Sequence, residues 1–266
     1  MITDILLAVA VVAAVGIICG VLLALASHFM SVKADERVTS IRECLPGANC
    51  GACGYTGCDS YAKAIVEEGA KTNLCVPGAT AVAEKVAAIL GVEAQAVESR
   101  TAFVHCNGHS DAANDKAVYE GIKSCKSECL IYGGSKACVF GCAGCGDCAS
   151  VCPKNAICIE DGVARVNKNL CIGCGLCVKT CPKGIISLIP TGAKAAVMCS
   201  NKEKGAAVRK ECTNGCIACR KCEKSCPTGA IHVENDISVI DYEKCVSCGK
   251  CAEVCPVHCI FFGKEK

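Results

Sequence analysis

Residues 142–153 read CAGCGDCASVCP, and residues 171–182 read CIGCGLCVKTCP. In each stretch three cysteines stand three apart, a fourth follows after three residues, and a proline comes next. The same run recurs as CIACRKCEKSCP at 216–227 and CVSCGKCAEVCP at 245–256. Every cysteine of the first pair of runs returns 74 positions later, and the 29-residue step inside each pair is kept. Four runs with matched offsets mark a duplicated unit.

The chain has 30 cysteines in 266 residues, which calls for a chemical reason. Disulfide scaffolds are usually short secreted domains, whereas this chain is long and its thiols sit in tight runs. Structural zinc explains two C-x2-C pairs, but not three evenly spaced cysteines with a fourth before proline. The run is the known ligand pattern of bacterial two-cluster ferredoxins, in which the fourth cysteine serves the other [4Fe–4S] cluster. Applied here, Cys142, Cys145, Cys148 and Cys181 form one set, and Cys171, Cys174, Cys177 and Cys152 its partner. In the second unit the sets are Cys216, Cys219, Cys222 and Cys255, then Cys245, Cys248, Cys251 and Cys226. The crossing places two clusters close together. After the first run of each pair, AICIE with GVARVN and AIHVE with ISVID predict β-hairpins.

Upstream, CLPGANCGACGYTGC holds Cys50, Cys53 and Cys58, and Cys75 follows. Gly51, Gly54 and Gly57 let the backbone approach a cluster closely. SYAKAIVEEG and ATAVAEKVAAILG predict two helices, the second ending at Gly91. Cys44 is a spare, since four ligands already suffice.

Residues Ile5 to Ala26 are apolar apart from two glycines and one cysteine, Cys19. Such a run is long enough to cross a bilayer core of about 30 Å. A cleaved signal peptide wants a basic start, yet the only charge before the run is Asp4. Lys33 and Arg37 follow it, which predicts an uncleaved anchor with the bulk of the chain in the cytoplasm. A reducing cytoplasm suits thiolate ligands. There is no tryptophan and only ten Phe plus Tyr, so inorganic clusters are expected to fill and tie small domains.

The 74-residue offset also relates Cys125 to Cys199 and Cys138 to Cys212. Two readings stay open: these thiols bind something of their own, or Cys138 and Cys212 replace nearer ligands such as Cys145 and Cys219. A sixth cluster drawn from Cys106, Cys125, Cys129 or Cys199 is a further alternative. Cys158 and Cys259 read as small core fillers, and His105 and His109 as polar loop residues.

Residues 1–120 carry 8 Lys/Arg and 13 Asp/Glu, residues 121–266 carry 20 and 13. One reading of the basic excess is compensation of cluster charge. The other is a docking face for an acidic carrier protein, built on Lys202, Lys204, Arg209 and Lys210, then Arg220, Lys221 and Lys224. Basic residues are not interleaved with aromatics, which argues against nucleic acid.

The order of an apolar N-terminal helix, the NCGACGYTGC segment with its later CVPG, and paired ferredoxin runs resembles the B subunits of Rnf complexes. Those complexes are membrane-bound ferredoxin:NAD+ oxidoreductases that move ions. The resemblance implies an α+β chain: a transmembrane anchor (1–30), a small helical [4Fe–4S] domain (36–103), a connecting segment with extra cysteines (104–136), and two tandem 2[4Fe–4S] ferredoxin modules (137–193 and 194–266). It implies five or six [4Fe–4S] clusters on a single-pass protein of the cell membrane. Soluble ferredoxin and the membrane, flavin- and NAD-binding subunits of the same complex are the expected partners. The implied role is electron relay from ferredoxin toward NAD+, coupled to Na+ or H+ movement, in a subunit with no substrate-transforming site of its own. In agreement, no G-x-G-x-x-G opens a helix. A membrane-anchored polyferredoxin serving another redox enzyme is the alternative. Some members of the family lack a cysteine matching Cys145, which leaves the choice between Cys138 and Cys145 open.

Overall fold

The computed structural model describes residues 2–29, 35–94 and 98–263. The first element is the 28-residue helix α1 (Ile2–Phe29). Its described apolar side chains stand in the open, Leu7, Ile17 and Leu23 each about two-thirds exposed or more. Among the described residues no helix is long and apolar enough to cross a membrane. The anchor expected over residues 5–26 falls partly on side chains outside that description.

Three helices follow: α2 (Glu36–Cys44), α3 (Cys58–Glu67) and α4 (Ala79–Leu90). The Asp35 carboxylate caps α2 by accepting from the Arg37 N–H at 2.9 Å. α4 stops at Gly91, whose φ of +68° is the left-handed stop that glycine adopts freely. Both helices expected from the sequence are therefore present. They bury Ile41, Ile65, Val86 and Tyr61 around Cys75 as a core of their own. Tyr61 is the one large polar-tipped residue inside it. Its hydroxyl donates to the Lys71 carbonyl at 2.7 Å and accepts from the Leu74 N–H at 3.1 Å, so it ties down the segment leading to Cys75.

The rest of the described chain is two similar units. The first holds β1 (Arg100–Val104), α5 (Cys125–Cys129), α6 (Asp147–Ser150), β2 (Ile157–Glu160), β3 (Val163–Val166), α7 (Leu176–Thr180) and β4 (Ile186–Pro190). The second holds β5 (Ala195–Val197), α8 (Gly205–Glu211), α9 (Lys221–Ser225), β6 (Ile231–Glu234), β7 (Ile237–Ile240), α10 (Lys250–Glu253) and β8 (Ile260–Phe262). The predicted hairpins form, as β2 against β3 and β6 against β7. Each unit closes with a second antiparallel pair, β1 with β4 and β5 with β8. The boundary expected at residue 103 thus cuts through β1, which pairs with the first ferredoxin unit. Each unit has its own core, in which cysteines pack among isoleucine and valine: Cys142, Cys148 and Cys177 with Ile157, Val163 and Ile186, then Cys216, Cys222 and Cys255 with Ile231, Ile237 and Ile260.

Candidate metal centres

Each ferredoxin run bends its backbone in the same way. Just before the one-turn helix that carries the third cysteine, a residue adopts left-handed φ: Gly146 (+91°), Gly175 (+73°), Arg220 (+57°) and Gly249 (+81°). That bend lifts Cys148, Cys177, Cys222 and Cys251 to the side of the earlier cysteines. After the fourth cysteine the proline starts a tight turn, and an N–H four residues on comes back to the sulfur. Ala156 donates to Cys152 Sγ and Ala230 to Cys226 Sγ, each at 3.3 Å. Donors of this kind stabilise a thiolate. Gly144 has φ of +82°, and a Cβ there would stand 2.7 Å from the Gly162 carbonyl.

Several thiols of the expected crossed sets neighbour one another or line a shared cavity. Cys226, Cys245, Cys248 and Cys251 line one cavity. Burial pushes the Cys177 thiol up to about 11, and Cys171, Cys174 and Cys152 beside it push the same way. In the second unit, Cys255 Sγ and Cys259 Sγ lie 3.6 Å apart, and hydrogen bonds hold the Cys216 and Cys255 thiols below their usual value. Cys222 lies beside Cys216 and Cys219. Cys259, 1% exposed, is a core residue in contact with Cys255 Sγ. Cys158, expected as a filler, is exposed and bonds Glu160. In the helical domain, burial raises the Cys75 thiol, with Cys58, Cys53 and Cys50 adding to the effect. Those four thiols are neighbours although 25 positions separate Cys50 from Cys75.

The remaining run departs from its pattern. One cavity is lined by Cys142, Cys148 and Cys181 together with Cys125, and Cys145 is not among its walls. Burial pushes the Cys148 thiol up to about 12, with Cys142, Cys125 and Cys181 adding. Cys145 Sγ donates instead to Glu128 at 2.8 Å. Glu128 is only 4% exposed, and its other oxygen accepts from the Ser135 N–H and hydroxyl at 3.0 and 2.6 Å. Burial alone would raise that carboxyl; the three donors outweigh it and hold it below its usual value.

The sites follow one another through space. Cys174 neighbours Cys50 of the helical domain, where Lys179 Nζ also reaches the Gly51 carbonyl at 3.5 Å. The Cys142 N–H donates to Cys106 Sγ at 3.4 Å, and the Cys216 N–H to Cys199 Sγ at 3.3 Å. Cys222 neighbours Cys251. Among the described residues, no group of three or more His, Cys, Asp or Glu is close enough to hold a single metal ion. A four-iron, four-sulfide group is larger and asks for soft thiolates spread around a cavity, which is the arrangement present. His105, beside Cys106, has both ring nitrogens occupied, by the Val197 carbonyl and the Ser187 hydroxyl, each at 2.7 Å.

On the surface, Lys202, Lys204, Arg209, Lys210, Arg220, Lys221 and Lys224 are all exposed, as is Cys219.

Known proteins match this arrangement segment by segment. A family model for an Fe-S cluster matches residues 45–77. A 4Fe-4S dicluster domain matches residues 141–185 and again 215–259, and a second 4Fe-4S dicluster model matches 170–231. The chain is similar to the B subunit of the Na+-translocating ferredoxin:NAD+ oxidoreductase complex of Acetobacterium woodii, 42% identical over 98% of this chain and 78% of that one. It is 45% identical to the B subunit of the proton-translocating ferredoxin:NAD+ oxidoreductase complex of Clostridium ljungdahlii, covering 85% and 81%. It is 39% identical to the B subunit of the ion-translocating oxidoreductase complex of Methanosarcina acetivorans, covering 89% and 90%.

Proposed function

This chain belongs to the B subunits of ion-translocating ferredoxin:NAD+ oxidoreductase complexes, and from that premise we propose that it takes electrons from reduced ferredoxin and relays them toward NAD+ while the complex moves Na+ or H+. The observation that carries this reading is the series of thiol sets with neighbouring members: Cys174 beside Cys50 of the helical domain, Cys148 beside Cys142 and Cys181, and Cys251 beside Cys222.

Five sets serve as ligands to five [4Fe–4S] groups. They are Cys50, Cys53, Cys58 and Cys75; Cys152, Cys171, Cys174 and Cys177; Cys142, Cys148 and Cys181 with Cys125 in place of Cys145; Cys216, Cys219, Cys222 and Cys255; and Cys226, Cys245, Cys248 and Cys251. A bound group of this kind supplies a one-electron couple whose potential follows hydrogen bonds to sulfur and exposure. This chain's own residues set both. Backbone N–H groups such as Ala102, which donates to Cys171 Sγ at 3.4 Å, favour the thiolate. The isoleucine and valine cores exclude water from Cys142, Cys177 and Cys216. Exposed Cys219 stands among Arg220, Lys221 and Lys224, and this basic surface is the docking face for acidic ferredoxin. The apolar run Ile5 to Ala26 is the membrane anchor on its sequence, being long enough to cross a bilayer core of about 30 Å, and Leu7, Ile17 and Leu23 stand exposed. Lys33 and Arg37 then place the thiol-bearing units on the cytoplasmic side.

Extraction of native membranes in mild detergent, followed by affinity capture of this chain, tests the reading. Flavin- and NAD(H)-binding membrane partners are expected to co-purify. Capture of a nickel-containing oxidoreductase without them would make the chain an anchored wire for another enzyme.

A further inference from the structure

The relation of Cys138 to Cys212 by the 74-residue repeat holds in space, but that of Cys125 to Cys199 does not. Cys199 lies two residues beyond the end of β5, and the equivalent place two residues beyond β1 is held by Cys106. The contacts repeat as well. Cys106 Sγ accepts from the N–H of Gly108 two residues on and from the N–H of Cys142, the first cysteine of its run. Cys199 Sγ is likewise bonded by the N–H of Asn201 two residues on and by that of Cys216, the first cysteine of its run. Cys138 and Cys212 each stand four positions before those same run cysteines. Cys106 and Cys138 are 32 positions apart, Cys199 and Cys212 only 13, so the first unit carries an insertion here that hides the equivalence.

These four thiols converge where the two units meet. Cys106, Cys138, Cys199 and Cys212 all line one cavity. It is of the same size as the cavities lined by ferredoxin-run cysteines, about 20 Å3 each. Cys106, Cys138 and Cys212 are buried. The buried Asn201 side chain donates to Cys138 Sγ at 3.4 Å. Gly108 leaves the space between two of the sulfurs open: a Cβ there would sit 3.6 Å from both Cys106 and Cys212 Sγ. Backbone bonds staple the two units around the cavity, Thr213 N–H to the Ala112 carbonyl at 2.8 Å and Asn114 N–H to the Glu211 carbonyl at 2.9 Å. Cys106 and Cys138 lie outside every matched family segment.

We propose that Cys106, Cys138, Cys199 and Cys212 hold a sixth [4Fe–4S] group, two ligands from each ferredoxin unit. The inference builds on the iron–sulfur reading of the ferredoxin runs. The site stands between the Cys142 and Cys216 sets, where a centre would join two units that otherwise have no ligand in common.

Iron and acid-labile sulfide analysis of the full chain, purified anaerobically in detergent, tests it. Six groups amount to about 24 iron and about 24 sulfide per chain, five to about 20 of each. The double variant Cys106→Ala/Cys212→Ala is expected to lose about four of each and one EPR component, and to keep the rest. Alkylation of the unmodified chain in its native state, mapped by mass spectrometry, gives an answer that needs no variant. Cys106, Cys138, Cys199 and Cys212 are expected to resist alkylation until the iron is stripped, while exposed Cys158 reacts at once. About 20 iron in the unmodified chain, ready alkylation of the four thiols, or one zinc per chain would overturn the sixth site and leave the proposed function standing. A chain without iron would overturn both.

Discussion

The Cys145 thiol donates to the Glu128 carboxylate at 2.8 Å, so a cysteine of a ferredoxin run is engaged by a buried acid from the preceding segment. The cavity lined by Cys142, Cys148 and Cys181 has Cys125 in its wall, one turn before Glu128 on the short helix α5. On the proposed assignment Cys125 supplies the sulfur at this site, while the neighbouring Cys145 is held by Glu128.

From this follows a contrast between two single substitutions. Cys145→Ala should keep the full iron content, because no ligand is removed. Cys125→Ala should lose about four iron per chain. Iron analysis of the two variants decides, and the reverse result would restore Cys145 as the ligand.

The helical domain has its own core, around Cys75 and separate from the cores of the two ferredoxin units. Cys53→Ala is thus expected to abolish one EPR component and about four iron while the ferredoxin units remain folded and loaded. Loss of every component would show that the domains depend on one another.

Tyr61 satisfies both the Lys71 carbonyl and the Leu74 N–H from inside that core, and burial pushes its own hydroxyl up to about 12. Tyr61→Phe leaves both backbone groups without this partner. The expected cost to the domain is ~1–3 kcal/mol, read as earlier loss of its EPR component in a urea titration. The components of the ferredoxin units should keep their midpoints.

Arg220 occupies with φ of +57° the place that Gly146, Gly175 and Gly249 occupy in the other three runs. A side chain in this conformation costs roughly 1–2 kcal/mol. Arg220→Gly should therefore stabilise the second unit by ~1 kcal/mol, while lowering ferredoxin affinity through the lost charge. Gly173→Ala should do the opposite to the first unit. Its φ is +65° and a Cβ would collide with the Arg100 carbonyl of β1, so a loss of more than about 1 kcal/mol is expected. Denaturant midpoints measured on both variants test the pair.

Most of the ferredoxin architecture was legible in the sequence because it is local. Three cysteines within seven residues, a bend ahead of the third and a proline after the fourth bring the thiols together through short-range backbone geometry. The hairpins at Ile157–Val166 and Ile231–Ile240 were likewise written in alternating apolar residues and two-residue turns. The crossed proximity of Cys152 to Cys177 followed from matching the run to a known pattern. The membership of the extra thiols was not legible. A fixed 74-residue offset paired Cys199 with Cys125, since an offset cannot register the insertion between Cys106 and Cys138. Only the strand pairings β1 with β4 and β5 with β8 place Cys106 where Cys199 sits in the other unit. The contact of Cys145 with Glu128 was equally hidden, because it depends on Glu128 being buried 17 positions away and aimed at one sulfur. Sequence spacing by itself determined which cysteines meet within a run, because a few bonds hold them within reach. Which cysteines meet across runs was decided by packing, because distant segments are brought together only when the whole chain buries its apolar surface.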